Sequence, residues 1–180
     1  MGDEKRLLER AREYDPVALG QIYDQYSVKI YNYIYYRLGD ARLAEDLTAD
    51  VFLKMLEAVK ASAAWKISLS GWLYRIAHNL VIDYFRRQPR REALPLDERL
   101  IAAQNSPAIG LESVLAQQRL RAAISRLTED QQQVIILKFV EDMSNAEVAE
   151  ILGKSEGAVK ALQHRALAAL RRIMGEGGAT

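Results

Sequence analysis

SNAEVAEILGKSEGAVKALQH, residues Ser144 to His164, is the stretch of this 180-residue chain that specifies a fold most sharply. Ser144, with Glu147 three residues later, forms a capping-box pattern that predicts the start of a short helix. Ala149 is small enough for a second helix to cross closely, and Gly153 suits a left-handed turn between the two helices. The spacing therefore predicts a helix-turn-helix.

The second helix of this motif carries a polar outer face. Val159 and Leu162 are spaced to pack inward on the first helix, and the N-terminal half of such a second helix is the part that enters the major groove of DNA. The residues predicted to face duplex DNA are Ser155, Gly157, Lys160, Ala161, His164 and Arg165. The same pattern also fits two helices of an ordinary bundle with a solvated polar face.

The rest of the chain has the same helical period. Apolar residues recur three and four positions apart, and no β-branched run alternates with polar residues, so an all-α fold is predicted. A first helix is expected to begin near Pro16. Its predicted apolar stripe is Leu19, Ile22, Tyr23, Tyr26, Ile30, Tyr33, Ile34 and Leu38. Further helices are predicted over 41–59, 71–87, 111–127, 128–139 and 155–174.

Prolines divide the chain into two parts. Three of its four prolines lie between Gln88 and Gly110, where the helical period is weak. We therefore predict two small helical domains, 1–90 and 112–175, joined by a flexible linker over 91–111. The second domain contains the helix-turn-helix.

An aromatic and basic segment precedes this linker. Its aromatic residues are interleaved with arginines, a mixture suited to stacking unpaired bases while cations hold the phosphate backbone. Aromatics at helical spacing are also typical of a core, so both interpretations stand for Trp72. The candidates for contact with single-stranded DNA in this segment are Trp72, Asn79, Arg86 and Arg87.

Composition and charge exclude several classes of function. The chain has no Cys, which excludes disulfides and thiolate chemistry, and its net charge is only +1. Acidic residues are concentrated between Asp40 and Glu57, yet no His converges on them, so no catalytic, metal or cofactor site is predicted. The charged N-terminus and the lack of a long apolar run predict a soluble, cytoplasmic protein without membrane insertion.

Three motifs in order carry a family resemblance. They are AEDLTADVFLKML (44–56), GWLYRIAHNLVIDYFRR (71–87) and LTEDQQQVIILKFVEDMSNAEVAEILGKSEGAVKALQHRALAALRR (127–172). Together they resemble RNA polymerase sigma factors of the extracytoplasmic-function (ECF) type. The resemblance implies a transcription initiation factor whose first domain, sigma region 2, binds polymerase and melts the minus-ten promoter element. It implies that the second domain, sigma region 4, reads the minus-thirty-five element.

The resemblance also implies roles for particular residues. Those implied to bind the clamp helices of polymerase match the family's D-L-x-x-E-x-F run and are Asp46, Leu47, Asp50 and Phe52. Trp72 and Asn79 fall on the family's WLxxIAxN motif, and Trp65 lies in the part of the chain that corresponds to the base-capturing loop. The implied partners are core RNA polymerase, through its clamp helices and flap, and promoter DNA, both duplex and single-stranded. An anti-sigma factor is a further candidate partner.

Two other classes of function compete with this one. An autonomous helix-turn-helix regulator would bind duplex DNA without polymerase, but it would leave the acidic helix and the aromatic segment without a task. A helical enzyme is disfavoured because no ionisable groups converge. Co-migration of the purified protein with core RNA polymerase separates the first alternative from a sigma factor.

Limited proteolysis tests the predicted linker. A segment without fixed structure is cut faster than packed helices, so trypsin is expected to cleave first at Arg90, Arg91 or Arg99. Mass spectrometry of the earliest fragments identifies the cut sites. Early cleavage inside the predicted helices, with protection of the linker, would contradict the two-domain division.

Overall fold

A computed structural model describes residues 2–61, 68–88 and 110–176. Within these ranges every regular element is a helix, so the all-α prediction is confirmed. The helices are α1 (Gly2–Arg12), α2 (Pro16–Leu38), α3 (Ala41–Lys60), α4 (Leu69–Arg87), α5 (Leu111–Ser125), α6 (Glu129–Ile135), α7 (Asn145–Leu152) and α8 (Glu156–Glu176). Trp65 and nearly all of the predicted linker lie outside the described residues.

Helices α1 to α4 form what we call the N-terminal lobe. Asp15 accepts a hydrogen bond from the Val17 N–H at 2.9 Å, and Pro16 follows as the first residue of α2, where a missing N–H does no harm. Gly39 ends α2 with a φ of +70°, and Asp40 caps α3. Large, fully buried side chains of this lobe are Ile22, Ile30, Tyr33, Ile34, Val51, Leu69, Leu73 and Tyr74.

Helices α5 to α8 form the C-terminal lobe, which contains the helix-turn-helix. Ser144 and Glu147 exchange hydrogen bonds of 2.7 and 3.2 Å, which are the two bonds of the predicted capping box at the start of α7. Gly153 turns the chain with a φ of +63°, and Ala149 and Val159 are buried where α7 and α8 pack together. The predicted helix-turn-helix is confirmed.

Two features of the N-terminal lobe differ from the sequence prediction. The chain has an additional helix, α1, whose only buried residue is Ala11, so its apolar stripe is too narrow to stand out among the charges. Tyr23 was predicted on the apolar stripe of α2 but is 51% exposed. The stripe is therefore wider than the face that α3 and α4 cover.

The helix predicted to run to Phe139 changes its winding before it ends. After Ile135 the chain continues as a π-helical turn, Ile136–Val140, in which the Glu141 N–H donates to the Ile136 carbonyl at 3.0 Å. The wider turn keeps Ile136 buried and leaves Phe139 half exposed. Such turns insert one residue into a helix and are not specified by the apolar period.

The two lobes pack directly against each other. Helix α7 lies on α4, and both α5 and the π-helical turn contact α2. Buried residues of the two lobes belong to one continuous cluster. The helix-turn-helix is thus held beside the aromatic and basic helix α4.

The capping box of α7 gives a stability prediction. Ser144→Ala removes the side-chain acceptor for the Glu147 N–H, and loss of such a cap lowers the free energy of unfolding by about 1 kcal/mol. Urea unfolding followed by circular dichroism measures the change. Ser113→Ala, at an exposed position of α5, is the matched control and is expected to have no comparable effect. Equal stabilities of the two variants would contradict the role of the cap.

Candidate nucleic-acid and protein interfaces

The outer face of α8 is open to solvent. Ser155 Oγ accepts a hydrogen bond from the Ala158 N–H at 3.1 Å and so begins the helix. Val159, on the inner side, is 0% exposed. All the residues predicted to contact duplex DNA are exposed, namely Ser155, Gly157, Lys160, Ala161, His164 and Arg165. The helix therefore presents a continuous polar face with its cations toward solvent.

Helix α4 carries the residues predicted to contact single-stranded DNA. Asn79, Arg86 and Arg87 are exposed. Trp72 packs against the core, as the core interpretation predicts, but it is only partly buried. These exposed residues lie in the C-terminal half of the helix, where the amide of Asn79 is followed by the cations of Arg86 and Arg87.

A polar cleft of about 560 Å³ lies between this half of α4 and the C-terminal lobe. Its lining includes Asn79 and Arg86 on the α4 side and Glu129 and Asp130 from the first turn of α6 on the other. Lys154 Nζ lies 3.7 Å from Asp130 Oδ2. Acids of one lobe thus face the amide and arginine that the sequence analysis assigned to DNA.

Polar contacts between residues that do not line the cleft also join α4 to the C-terminal lobe. The Tyr74 hydroxyl donates to the Glu141 carboxylate, and Arg75 Nη2 donates to the Glu150 carbonyl at 3.0 Å. Burial raises the pKa of Tyr74, so its hydroxyl keeps the proton that it donates. Burial also raises the pKa of Glu141, and the hydrogen bond from Tyr74 opposes that change.

Arg37 is a polar residue of this junction that the sequence analysis did not single out. Its side chain is 0% exposed, and its Nη2 lies 3.4 Å from Glu129 Oε1 of the other lobe. Nη1 donates to the Tyr33 hydroxyl at 3.2 Å. The signal in the sequence is an arginine placed next to the apolar stripe, between Ile34 and Leu38.

An apolar groove of about 530 Å³ runs between α2 and α3 on another face of the N-terminal lobe. Its apolar lining is Tyr23, Val28, Tyr31, Phe52, Leu53 and Leu56. Val28 is 65% exposed and Leu53 is 56% exposed, so the groove is a hydrophobic surface rather than part of the core. Nothing in the sequence marks Val28 and Leu53 as exposed, because an exposed apolar residue and a buried one give the same sequence pattern.

The residues predicted to bind polymerase lie around this groove in different ways. Asp46 and Asp50 are exposed and one turn apart on α3, so they form an acidic row. Phe52 is only 6% exposed, and its ring centroid is 4.9 Å from that of Tyr23. Leu47 is partly buried and is not part of the groove lining. Of the four predicted residues, only Phe52 is therefore among those that line the groove, and Asp46 and Asp50 lie outside its lining on the exposed surface of α3.

Residues 2–61, 68–88 and 110–176 contain neither a cluster of metal-ligating side chains nor a helix suited to crossing a membrane. In these ranges no three side chains of the metal-ligating types come together as a metal site would require. No helix there is long and apolar enough to cross a membrane.

Comparison with known proteins identifies both lobes. The model for Sigma-70 region 2 matches residues 22–91, and the model for Sigma-70 region 4 matches residues 117–170. ECF RNA polymerase sigma factor SigX of Bacillus subtilis is 32% identical over 164 residues, which cover 85% of this chain and 81% of SigX. The chain belongs to the ECF sigma factors.

One further relative agrees with this assignment, and one solved structure shares the fold. ECF RNA polymerase sigma factor BldN of Streptomyces coelicolor is 39% identical over 93% of this chain, which spans 64% of the length of BldN. The solved structure of CnrH, in complex with the cytosolic domain of CnrY, has the same fold, with a TM-score of 0.75 at 22% identity, covering 96% of this chain and 97% of CnrH. This ECF sigma factor is a transcription initiation factor. The region 2 match disfavours the autonomous regulator, which would leave the N-terminal lobe unassigned.

His78 lies on the α4 side of the polar cleft. Its Nδ1 is 3.4 Å from the Tyr33 hydroxyl oxygen. Burial, followed by the nearby charge of Arg37, lowers the pKa of His78 to about 4. The ring is therefore neutral in the folded protein at neutral pH.

This pKa gives a pH prediction. Because the unfolded chain binds the His78 proton near its ordinary pKa of about 6.5, the stability from the neutral ring is complete above that pH and falls as the pH drops toward 4. Urea unfolding at several pH values measures the slope, and His78→Gln should flatten it over that range. If the free energy of unfolding falls equally with pH in the unaltered protein and in His78→Gln, the pKa of His78 is not lowered.

Proposed function

We propose that this sigma factor divides promoter recognition between two domains, region 2 over 1–90 and region 4 over 112–175, with 91–111 as the linker. Region 2 binds core RNA polymerase and opens the minus-ten element, and region 4 reads the minus-thirty-five element. The observation that carries the proposal is the presence of two exposed surfaces with cationic side chains on different lobes, one on α8 and one on α4. One suits a duplex, and the other suits unpaired strands.

The duplex surface is the outer face of α8. A helix-turn-helix inserts the N-terminal half of its second helix into the major groove, whose base edges are distinct for each base pair. The residues assigned to this contact are Ser155, Gly157, Lys160, Ala161, His164 and Arg165. Lys160 and Arg165 supply charge for base edges or phosphates, and the small Gly157 and Ala161 allow close approach.

The single-strand surface is the exposed side of α4. An amide such as Asn79 can hydrogen-bond an unpaired base, and Arg86 and Arg87 can hold the phosphate backbone. Trp72 offers the exposed part of its ring for stacking while the rest of the ring packs on the core. The assignment includes Trp65, which the sequence places a few residues before α4.

The polymerase surface is the apolar groove of α2 and α3 with its acidic row. Exposed Val28 and Leu53 provide the hydrophobic centre that protein interfaces use, and the exposed Asp46 and Asp50 on the same helix as Leu53 provide negative charge. The assignment also includes Phe52, at the floor of the groove, and Leu47. A basic clamp surface on polymerase is the complementary partner, and the polymerase flap is the proposed partner of region 4.

Promoter binding requires the lobes to move apart. The two promoter elements are separated by about 25 base pairs, or roughly 85 Å at about 3.4 Å per base pair. A compact chain of this length has a radius of gyration of about 16 Å. Both elements are therefore out of reach of a molecule whose lobes are packed together.

Other partners and the compartment follow from the family. An anti-sigma factor is a candidate partner, because the solved structure of CnrH holds this fold in complex with another protein. We assign the protein to the cytoplasm, where polymerase acts on DNA. No catalytic activity and no cofactor are assigned to it.

Charge reversal tests the polymerase surface. Asp50→Arg places a cation opposite a basic partner, and such like-charge contacts reduce affinity by on the order of 100-fold. Binding of a fluorescently labelled sigma factor to core polymerase measures the change. Glu9→Arg, on the exposed side of α1, has the same change of charge and should bind normally. Equal binding by both variants would remove the assignment of the acidic row.

Premelted DNA tests the division between duplex and single-strand contacts. Lys160→Ala should weaken promoter binding by roughly 1–3 kcal/mol if one base contact is lost. Asn79→Ala should leave recruitment to duplex DNA nearly unchanged but reduce the open complex that reacts with permanganate. A template with a premelted bubble should rescue Asn79→Ala and not Lys160→Ala. An identical response of both variants to the bubble would show that the division is wrong.

A further inference from the structure

Arg37 is buried, but its surroundings offer too few hydrogen-bond acceptors for its guanidinium. The side chain is 0% exposed, yet the only carboxylate paired with it in the part of the chain that the structure describes is 3.4 Å away and belongs to the other lobe. Within those same residues, Arg37 Nε has no hydrogen-bond acceptor. A buried guanidinium has five N–H donors to satisfy, and leaving them unmatched is unfavourable. The guanidinium of Arg37 can therefore donate to more acceptor oxygens than Glu129 supplies.

Arg37 is buried behind the polar cleft that Asn79 and Arg86 line, and it reaches that cleft through two of its lining residues, Phe85 and Glu129. Phe85 lines the same cleft, and its ring centroid is 5.9 Å from Arg37 Cζ. Glu129 lines the cleft from the opposite side, in the first turn of α6. When the C-terminal lobe moves away, Glu129 leaves with it. The guanidinium then loses its anion while remaining next to the single-strand surface of α4.

The charges around the cleft favour an anion at this point. On the N-terminal side Arg37 and Arg86 are cations, and His78 stays neutral because burial and Arg37 lower its pKa to about 4. Across the cleft, Glu129 and Asp130 supply the negative charge. A phosphodiester has acceptor oxygens that match a planar guanidinium, and it is the repeating anion of the strand proposed to bind α4.

We infer that Arg37 is a phosphate-binding residue of the minus-ten surface, and that Glu129 takes the place of the phosphate while the lobes are packed together. The inference rests on the proposed single-strand function of α4. The Tyr33 hydroxyl, 3.2 Å from Nη1, holds the guanidinium in position in both states. Glu129 and the DNA backbone therefore compete for the same cation.

Binding of the full-length free protein to fluorescein-labelled (dT)20 tests this competition. Glu129→Gln removes the competing charge and should tighten binding about two- to fivefold, because an ion pair whose carboxylate is half exposed contributes modestly to the packed state. Glu112→Gln, at an exposed first-turn acid of α5, changes the net charge equally and should not match that gain. No gain beyond this control would overturn the role of Glu129.

A second substitution tests Arg37 itself. In the Glu129→Gln background, Arg37→Gln should remove the gain and reduce the slope of log affinity against log salt by about 0.7, as expected for one lost phosphate contact. Arg37→Lys keeps the charge and should preserve the slope, whereas a purely structural arginine would give the same slope in all three proteins. That result would overturn the inference.

A third substitution separates this inference from the proposed function. Arg86→Gln in the same background should also lower the slope, because Arg86 is already assigned to the single-strand surface. If Arg86→Gln lowers it and Arg37→Gln does not, the surface stands and Arg37 is not part of it. If neither does, the proposed single-strand surface fails together with the inference. Urea unfolding of each variant verifies that the comparison is made between folded proteins.

Discussion

The packing of α7 on α4 is the contact on which the arrangement of the candidate surfaces depends. The Arg75–Glu150 hydrogen bond holds the first helix of the helix-turn-helix against the helix proposed to bind melted DNA, and the Tyr74–Glu141 bond joins that same helix to the residue after the π-helical turn. This contact leaves the outer face of α8 and the apolar groove of the N-terminal lobe open. It also places an acidic turn in front of Arg37. One interface therefore determines which surfaces of the free protein are available.

The chemistry of this interface suits an arrangement that has to be reversible. Apolar residues of the two lobes meet in one cluster, but hydrogen bonds and an ion pair cross the junction as well. When the lobes separate, water or a new partner can form hydrogen bonds with the polar groups of the interface. Apolar core residues that become exposed find no such replacement. Interfaces between domains are generally more polar than permanent ones for this reason. Polymerase binding at the groove and DNA binding at α4 can both favour separation.

The sequence was sufficient wherever a local rule specifies structure. Ser144, Glu147 and Gly153 predict their helix start and turn from spacing alone, because capping and left-handed turns involve neighbours along the chain. The exposure of the cations on α8 is also predictable, because the helical period places them on the face away from the residues that pack inward. The family resemblance then supplied the division into regions 2 and 4, which periodicity alone does not name.

Apart from α1, whose narrow apolar stripe hides it among charges, the features that could not be predicted from the sequence depend on distant residues. Tyr23 and Leu53 look like core residues until the packing of α2 on α3 leaves them at the edge of a groove. Arg37 gives no hint of Glu129, which lies 92 positions away along the chain. The π-helical turn at Ile136–Val140 contacts both α2 and α7, and the apolar period does not specify it. Apolar periodicity specifies helices, and tertiary contacts decide which of their faces stay exposed.

A distance between the lobes tests the account most directly. The chain has no native Cys, so Asp83→Cys and Arg171→Cys place one spin label on an exposed site of each lobe, and pulsed electron paramagnetic resonance gives their separation. In the free protein we predict a single distribution within the roughly 40 Å diameter of a compact chain of this length. With core polymerase and promoter DNA, the distance should lengthen by several tens of ångströms. A free protein that already shows the long distance, or a complex that keeps the short one, would contradict the account.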